Sequence, residues 1–145
     1  MSATNSPGSI VLLIKLTRSV YRRASEDVLG LKLKAYMVLT NLRDGGLPQA
    51  DLCASMQMDA NNTVLLLNDL EGKGFVERRR DPADRRRHIV VITDAGQEAL
   101  RHAERAMESL EEEVFGSLTA EGRAALRDLL SRAVAEEPAD QQAAA

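Results

Sequence analysis

Apolar residues recur with a helical period over six stretches of this chain, and two short runs of strand character lie between the fourth and the fifth. From Ser9 to Leu29 the positions Ile10, Leu13, Ile14, Val20, Tyr21, Ala24 and Val28 fall at helical spacing, and Val11, Leu12 and Leu16 widen the apolar stripe at its start. A helix apolar on most sides needs partners on most sides. Two readings stay open: a deeply buried core helix, or one packed against a second copy of the chain.

Gly30 punctuates, and Leu31 to Arg43 predicts a second helix with Leu33, Tyr36, Met37, Leu39 and Thr40 inward, stopped by Asp44-Gly45-Gly46. A third helix begins near Pro48, which suits a first helical turn, with Leu52, Cys53 and Met56 at core spacing. Gln57-Met58-Asp59 is a tight connection, and Asp59 is the expected N-cap of a fourth helix that reaches about Glu71 and closes at Gly72 or Gly74. Two short helices across a three-residue turn suggest helix-turn-helix, a weak pattern alone. Phe75 to Arg79 and His88 to Ile92 read as strands, with Asp81 and Pro82 at the first two positions of a type I turn between them. Thr93 then caps a long helix whose Leu100, Ala103, Met107, Leu110 and Val114 form a coiled-coil-like seam, with Glu104, Glu108, Glu111 and Glu112 outside. Gly116-Ser117 breaks it, and Thr119 caps a last helix with Leu126, Leu129, Leu130, Ala133 and Val134 on one face.

Composition narrows the picture. At 145 residues one domain with a real core is expected. The folded part runs over residues 9–135; residues 1–8 and 136–145 lack a face to bury and read as disordered tails. With one cysteine no intrachain disulfide forms, and the apolar run Ile10 to Ile14 is short, broken by Lys15 and preceded by no basic residue. A cytoplasmic protein without a membrane span is expected. The net charge of −3 is unevenly spread: residues 73–88 hold seven basic against three acidic side chains, and residues 94–145 hold five against twelve. Six arginines fall within the ten residues Arg78 to Arg87. Local density of this kind, rather than net charge, governs binding to phosphates.

The block Leu67 to Leu100 carries a family likeness. Leu70-Glu71, then Gly74-Phe75-Val76-Glu77-Arg78, then Asp81-Pro82-Ala83-Asp84-Arg85-Arg86, then Ile92-Thr93-Asp94-Ala95-Gly96 occur in the order of the MarR family of bacterial winged-helix transcription regulators, which this chain resembles from about Glu26 to its last helix. The resemblance implies a mainly α fold with a small β-hairpin wing: a winged helix-turn-helix lobe at about 31–93, with dimerisation helices at about 9–29 and 94–135. It implies a homodimeric repressor on a near-palindromic double-stranded DNA operator, released by a small, often aromatic acid bound between the dimer helices and the DNA lobe. It also implies that Asp84 orients Arg86 while Arg86 reaches DNA. The residues leave the operator, the target genes and the sign of control open.

In the fourth helix Thr63, Leu66, Leu67 and Leu70 share one face, which leaves Ala60, Asn61, Asn62, Val64, Leu65 and Asn68 outward. Asn61 and Asn62 lie in the first turn, where an amide matches the donor and acceptor of adenine, and equally where asparagine caps or is merely solvated. Adjacent exposed Val64 and Leu65 fit thymine methyl groups; relatives more often carry a polar or basic residue at the position of Leu65, so fewer helix-to-guanine contacts are expected. In the hairpin Arg78, Arg79 and Arg80 approach the turn and Arg85, Arg86 and Arg87 leave it, gathering guanidinium groups for phosphates or a narrow minor groove; the bland alternative is a solvated charge run.

Other signals are weak. Cys53 reads as a small buried apolar residue. Peroxide-sensing relatives carry their cysteine near the start of the first helix, where this chain has none. His88 and His102 form no metal-ligand spacing with Cys53, so no metal is expected. Tyr21 or Tyr36 are weak candidates to line an effector cleft. No nucleophile and base constellation or phosphate loop points to an enzyme, and no cofactor is implied. A rival reading keeps the fold but makes the arginine hairpin a docking module for acidic protein, without DNA binding.

Overall fold

The computed structural model describes residues 6–136; residues 1–5 and 137–145, where most of both expected tails lie, are outside the described residues. Its elements in chain order are α1 (Ser9–Arg23), α2 (Glu26–Leu29), α3 (Leu33–Asn41), β1 (Leu47–Pro48), α4 (Gln49–Met56), α5 (Ala60–Gly72), β2 (Val76–Arg80), β3 (His88–Ile92), α6 (Asp94–Phe115) and α7 (Ala120–Ala135). The fold is mainly helical with one small antiparallel sheet in the order β1-β3-β2.

The core is built where α2, α3, α4, α5 and α6 meet the base of the hairpin. Leu29, Leu31, Val38, Leu39, Leu42, Leu52, Leu67, Leu70, Val76, Val90 and Leu100 are buried there. Each such leucine contributes roughly 2 kcal/mol of burial, which is what keeps the short helices α2, α3 and α4 folded when their propensity alone would not.

Four sequence expectations change. The stretch from Ser9 to Leu29 is two helices, because the Ser25 hydroxyl accepts a bond from Val28 N–H and starts α2, which Gly30 closes in the left-handed region at φ 75°. The inward face of α3 is Ala35, Val38 and Leu39, continued by Leu31 and Leu42, whereas Met37 and Thr40 point out. Both stripes are apolar enough to satisfy the period. Burial of Leu31 and Leu42 beside α6 decides between them, and the Thr40 hydroxyl is already satisfied by the Tyr36 carbonyl. Pro48 precedes its helix and lies with Leu47 in an edge strand opposite Ile89 and Val90, a place where a missing N–H costs no ladder bond. Glu104, expected outside α6, is half-buried and ion-paired with Arg43 of the segment after α3.

Capping follows the sequence closely. Asp59, Thr93 and Thr119 accept bonds from the N–H groups of Asn62, Gly96 and Gly122 at the starts of α5, α6 and α7. The seam of α6 is buried at Leu100, Ala103 and Leu110 and half-buried at Met107 and Val114.

The outer helices behave differently. Neither α1 nor α7 has a buried residue. Ile10 is 70% exposed, and Val11, Leu12, Leu13, Ile14 and Leu16 are exposed with it; so are Leu129, Leu130 and Val134 on α7. The deeply buried reading of the first helix is therefore wrong for a single copy, because the molecule's own core lies under α2 and α3 and leaves α1 only its end at Val20 and Ala24 to bury.

Candidate nucleic-acid interface

The side chains singled out from the sequence fall on two neighbouring elements. On α5, Thr63, Leu67 and Leu70 are buried and Leu66 is half-buried, so Ala60, Asn61, Asn62, Val64, Leu65 and Asn68 form the exposed face. Leu65 is 66% exposed. Asn62 is engaged locally: its main-chain N–H donates to Asp59 Oδ1 at 2.8 Å, and its side-chain amide donates to Asp59 Oδ2 at 2.7 Å. Asn61 has no such tether among the described hydrogen bonds, which makes it the freer of the two amides.

In the hairpin the arginines divide. Strand parity governs Arg78: it follows Val76 by two, so it shares the inward face of β2 and meets α5. Its guanidinium holds Glu71 Oε1 at 3.1 Å and the Asn68 side-chain oxygen, and its main-chain N–H donates to Glu71 Oε2 at 3.2 Å. Arg78 is thus a strut between α5 and β2 and not part of the tip, contrary to the expectation that all six arginines converge. Arg79 pairs with Glu77 at 2.9 Å on the outer face.

That leaves Arg80, Arg85, Arg86 and Arg87 around the turn. Arg80 donates to the Arg85 carbonyl at 3.3 Å across the hairpin. The turn itself differs from the expected one. Ala83 N–H donates to the Asp81 carboxylate, and the backbone bond that reverses the chain runs from Arg87 N–H to the Asp84 carbonyl, so the tight turn is Asp84 to Arg87. The Asp84 carboxylate accepts from the main-chain N–H of Arg86 at 3.1 Å and lies 3.4 Å from its Nε, while the Arg86 side chain remains 94% exposed. One carboxylate so placed steadies the base of a side chain whose far end stays in solvent.

The two elements border one groove. A cavity of about 420 Å³ is lined by Ala60 and Thr63 of α5, by Gln49 and Cys53 of α4, and by Arg86, Arg87 and His88 of the hairpin. Cys53 is half-buried rather than core, its thiol donating to the Met58 carbonyl at 3.0 Å. No group of three or more His, Cys, Asp or Glu side chains among the described residues could hold a metal ion, and no helix among them is long and apolar enough to cross a membrane.

A model of the MarR family matches residues 29–87, from the end of α2 to the turn of the hairpin. The uncharacterised HTH-type transcriptional regulator YdgJ of Bacillus subtilis (strain 168) is 36% identical over 84 residues, covering 58% of this chain and 51% of that protein. The crystal structure of MarR superposes with a TM-score of 0.77 at 26% identity over 94% of this chain and 95% of its own. Over residues 29–87 the chain is similar to the MarR family, in sequence and in fold.

A second solved structure, the transcriptional repressor CouR bound to a 23-mer DNA duplex, matches with a TM-score of 0.79 at 26% identity, over 86% of this chain and 91% of that one. The chain spans about half the length of the first curated relatives it matches. In this chain the two tyrosines line different hollows. Tyr36 borders a cleft of about 560 Å³ between α1, α3 and α6, together with Val20, Arg43, Glu104 and Phe115. Tyr21, 59% exposed, borders a second hollow beside α5.

Sequence reading missed Glu71 as the anchor of Arg78 and missed the Arg43–Glu104 pair. The first was legible: Val76 sets the strand parity that turns Arg78 toward the helix ending at Glu71. The second was not, since only the packing of α3 on α6 brings residues so far apart in sequence together. Hydrogen bonding to Arg78 holds the Glu71 carboxyl below its ordinary value. A lowered folded value means that the strut stabilises fully above the unfolded carboxylate's pKa of about 4.3 and loses this as pH falls through the folded value. Accordingly Glu71→Gln should lower the urea midpoint at pH 7, and the gap to the parent chain should close in acid well below pH 4. A gap that persists unchanged there would assign Glu71 a role other than this pair.

Proposed function

We propose that this chain is a MarR-family regulator of transcription: a homodimeric, sequence-specific DNA-binding protein acting as a repressor, with a winged helix-turn-helix lobe at about residues 31–93 and dimerisation helices at about 9–29 and 94–135. The observation that carries the reading is the exposed face of α5 together with the exposed arginines of the wing tip, Arg80, Arg85, Arg86 and Arg87, of which only Arg86 is ion-paired among the described residues, with Asp84 at the base of its side chain. A helix face of this size enters a major groove, and arginines one hairpin away reach phosphates or the adjacent minor groove. Asn61, Val64 and Leu65 are then the side chains nearest base edges, with Asn62 and Asn68 held back by Asp59 and Arg78. The repressor CouR in complex with duplex DNA is a neighbour of the same fold, which supports the reading.

Selection from a pool of random duplexes tests it. An inverted repeat should be enriched, its half-site centres separated by about one helical turn, 10–10.5 base pairs, or a multiple of it. Recovery of unselected sequence would count against it.

Dimerisation in this reading rests on α1 and α7, whose exposed apolar faces have no cover among the described residues of one copy. Leu13 is exposed in the single chain, so Leu13→Asp disturbs no internal packing. That change should leave helical content intact and shift the sedimenting species from dimer to monomer. Release by an effector fits the cleft at Tyr36: about 560 Å³ suits a one- or two-ring acid, with Arg43 to meet its carboxylate in place of Glu104.

A further inference from the structure

Two of the three asparagines on the exposed face of α5 are tethered by charged side chains, and the sign of the partner decides which end of an amide it can hold. Asp59 Oδ1 accepts the Asn62 main-chain N–H at 2.8 Å, which fixes the carboxylate, and Asp59 Oδ2 accepts from the Asn62 side-chain nitrogen at 2.7 Å. A carboxylate only accepts, so the nitrogen of Asn62 faces Asp59 and its oxygen turns away. At Asn68 the sense is reversed. Its oxygen accepts from the Arg78 guanidinium, which Glu71 Oε1 holds in place at 3.1 Å. A guanidinium only donates, so the oxygen of Asn68 is spent and its nitrogen turns away. Flipping either amide would set oxygen against carboxylate or NH2 against guanidinium. Both side chains remain exposed, so the end that each tether leaves outward can meet a ligand.

We propose that Asp59 and Arg78 are positioning residues that give α5 a two-part base code. Asn62, offering its oxygen, selects a base with an exocyclic amino group, A or C. Asn68, offering its N–H groups, selects a base with an exocyclic carbonyl, G or T. The major groove displays these groups as distinct edges: adenine N6 and cytosine N4 donate, whereas guanine O6 and thymine O4 accept. Six residues separate the two amides, about 9 Å along the helix axis, so they meet different base pairs. Neither preference belongs to asparagine as such, because a free amide offers donor and acceptor alike. The code rests on the DNA-binding reading above and adds to it which atoms do the reading.

The test starts from the duplex that the parent chain selects out of random sequence. Each base pair of one half-site is then replaced in turn, and affinity is measured by fluorescence anisotropy. Asn62→Ala and Asn68→Ala should each flatten one position, which identifies the base pair that each amide meets. At the Asn62 position the parent should favour A or C over G or T by about tenfold. Asp59→Ser should reduce that ratio to within about threefold, while serine still caps α5. At the Asn68 position the parent should favour G or T by a similar factor. Arg78→Met should remove this preference, and Arg78→Lys, which also donates without accepting, should keep it. A strut with a structural role alone would change affinity on every sequence alike and leave the ratio where it was. The proposal is overturned if either position shows the opposite preference, if Asp59→Ser or Arg78→Met leaves its ratio at the parent's value, or if either alanine variant flattens no position. A parent chain that enriches no sequence would sink the DNA-binding reading and the code with it, whereas an enriched site indifferent to these four residues would sink the code alone.

Discussion

Replacing Arg85, Arg86 and Arg87 together with alanine should cost about a thousandfold in affinity for duplex DNA near 0.15 M salt, by about the same factor on operator and on random sequence. The three side chains are exposed on the far limb of the hairpin, and among the described residues their one ion pair is that of Arg86 with the Asp84 carboxylate. In a dimer the change removes six potential phosphate contacts, each releasing about 0.9 of a counterion in the intact complex, so a loss of several powers of ten at low salt follows from charge alone. Uniformity across sequences is the informative part, because phosphate contacts position a protein while base contacts discriminate. Asn61→Ala should do the reverse and flatten discrimination with a smaller loss on random DNA. Filter binding or fluorescence anisotropy on both kinds of duplex reads the difference. Fold stability should not move, as none of the three arginines is buried.

The second large effect is structural. Gly96→Ala should destabilise the chain by about 3 kcal/mol or more, lowering the thermal midpoint by about 10 °C at matched protein concentration. Gly96 is buried in the first turn of α6, where its N–H donates to the Thr93 hydroxyl at 3.0 Å. That hydroxyl donates to the Gly74 carbonyl at 2.6 Å, and Thr93 N–H donates to the Phe75 carbonyl at 3.0 Å. A methyl group on Gly96 would press into the Phe75 carbonyl and come within 2.7 Å of Ile92 Cγ1. Because the first obstacle is backbone, no side-chain rotation relieves it, and the hairpin must lift from α6. An unchanged midpoint would show that this junction carries no such constraint.

Local signals in this sequence specify structure directly, whereas contacts between distant segments do not. Caps were legible because each depends on a single side chain and the three residues after it: Asp59, Thr93 and Thr119 all close the turns expected of them. The exposed face of α5 was legible because Thr63, Leu67 and Leu70 leave no ambiguity about which stripe is inward. The face of α3 was not, since apolar residues occupy two adjoining stripes and only the burial of Leu31 and Leu42 distinguishes them. Strand β1 was hidden because two residues carry no period, and Pro48 advertises a helix start as strongly as an edge strand. At the site the arginine cluster was visible as composition, but its division was not. Arg78 and Arg79 are taken up by Glu71 and Glu77 through contacts that depend on strand parity and on where α5 ends.

The central claim is that paired lobes hold their wing arginines against DNA phosphates. Its most direct test is the salt dependence of the parent chain's affinity for a duplex of fixed sequence. Four arginines around each turn, Arg80 and Arg85 to Arg87, make eight in a dimer, and at about 0.9 counterion each the slope of log affinity against log salt should lie near −7. A slope shallower than about −3 would contradict the account, since the wing could not then be what holds the nucleic acid.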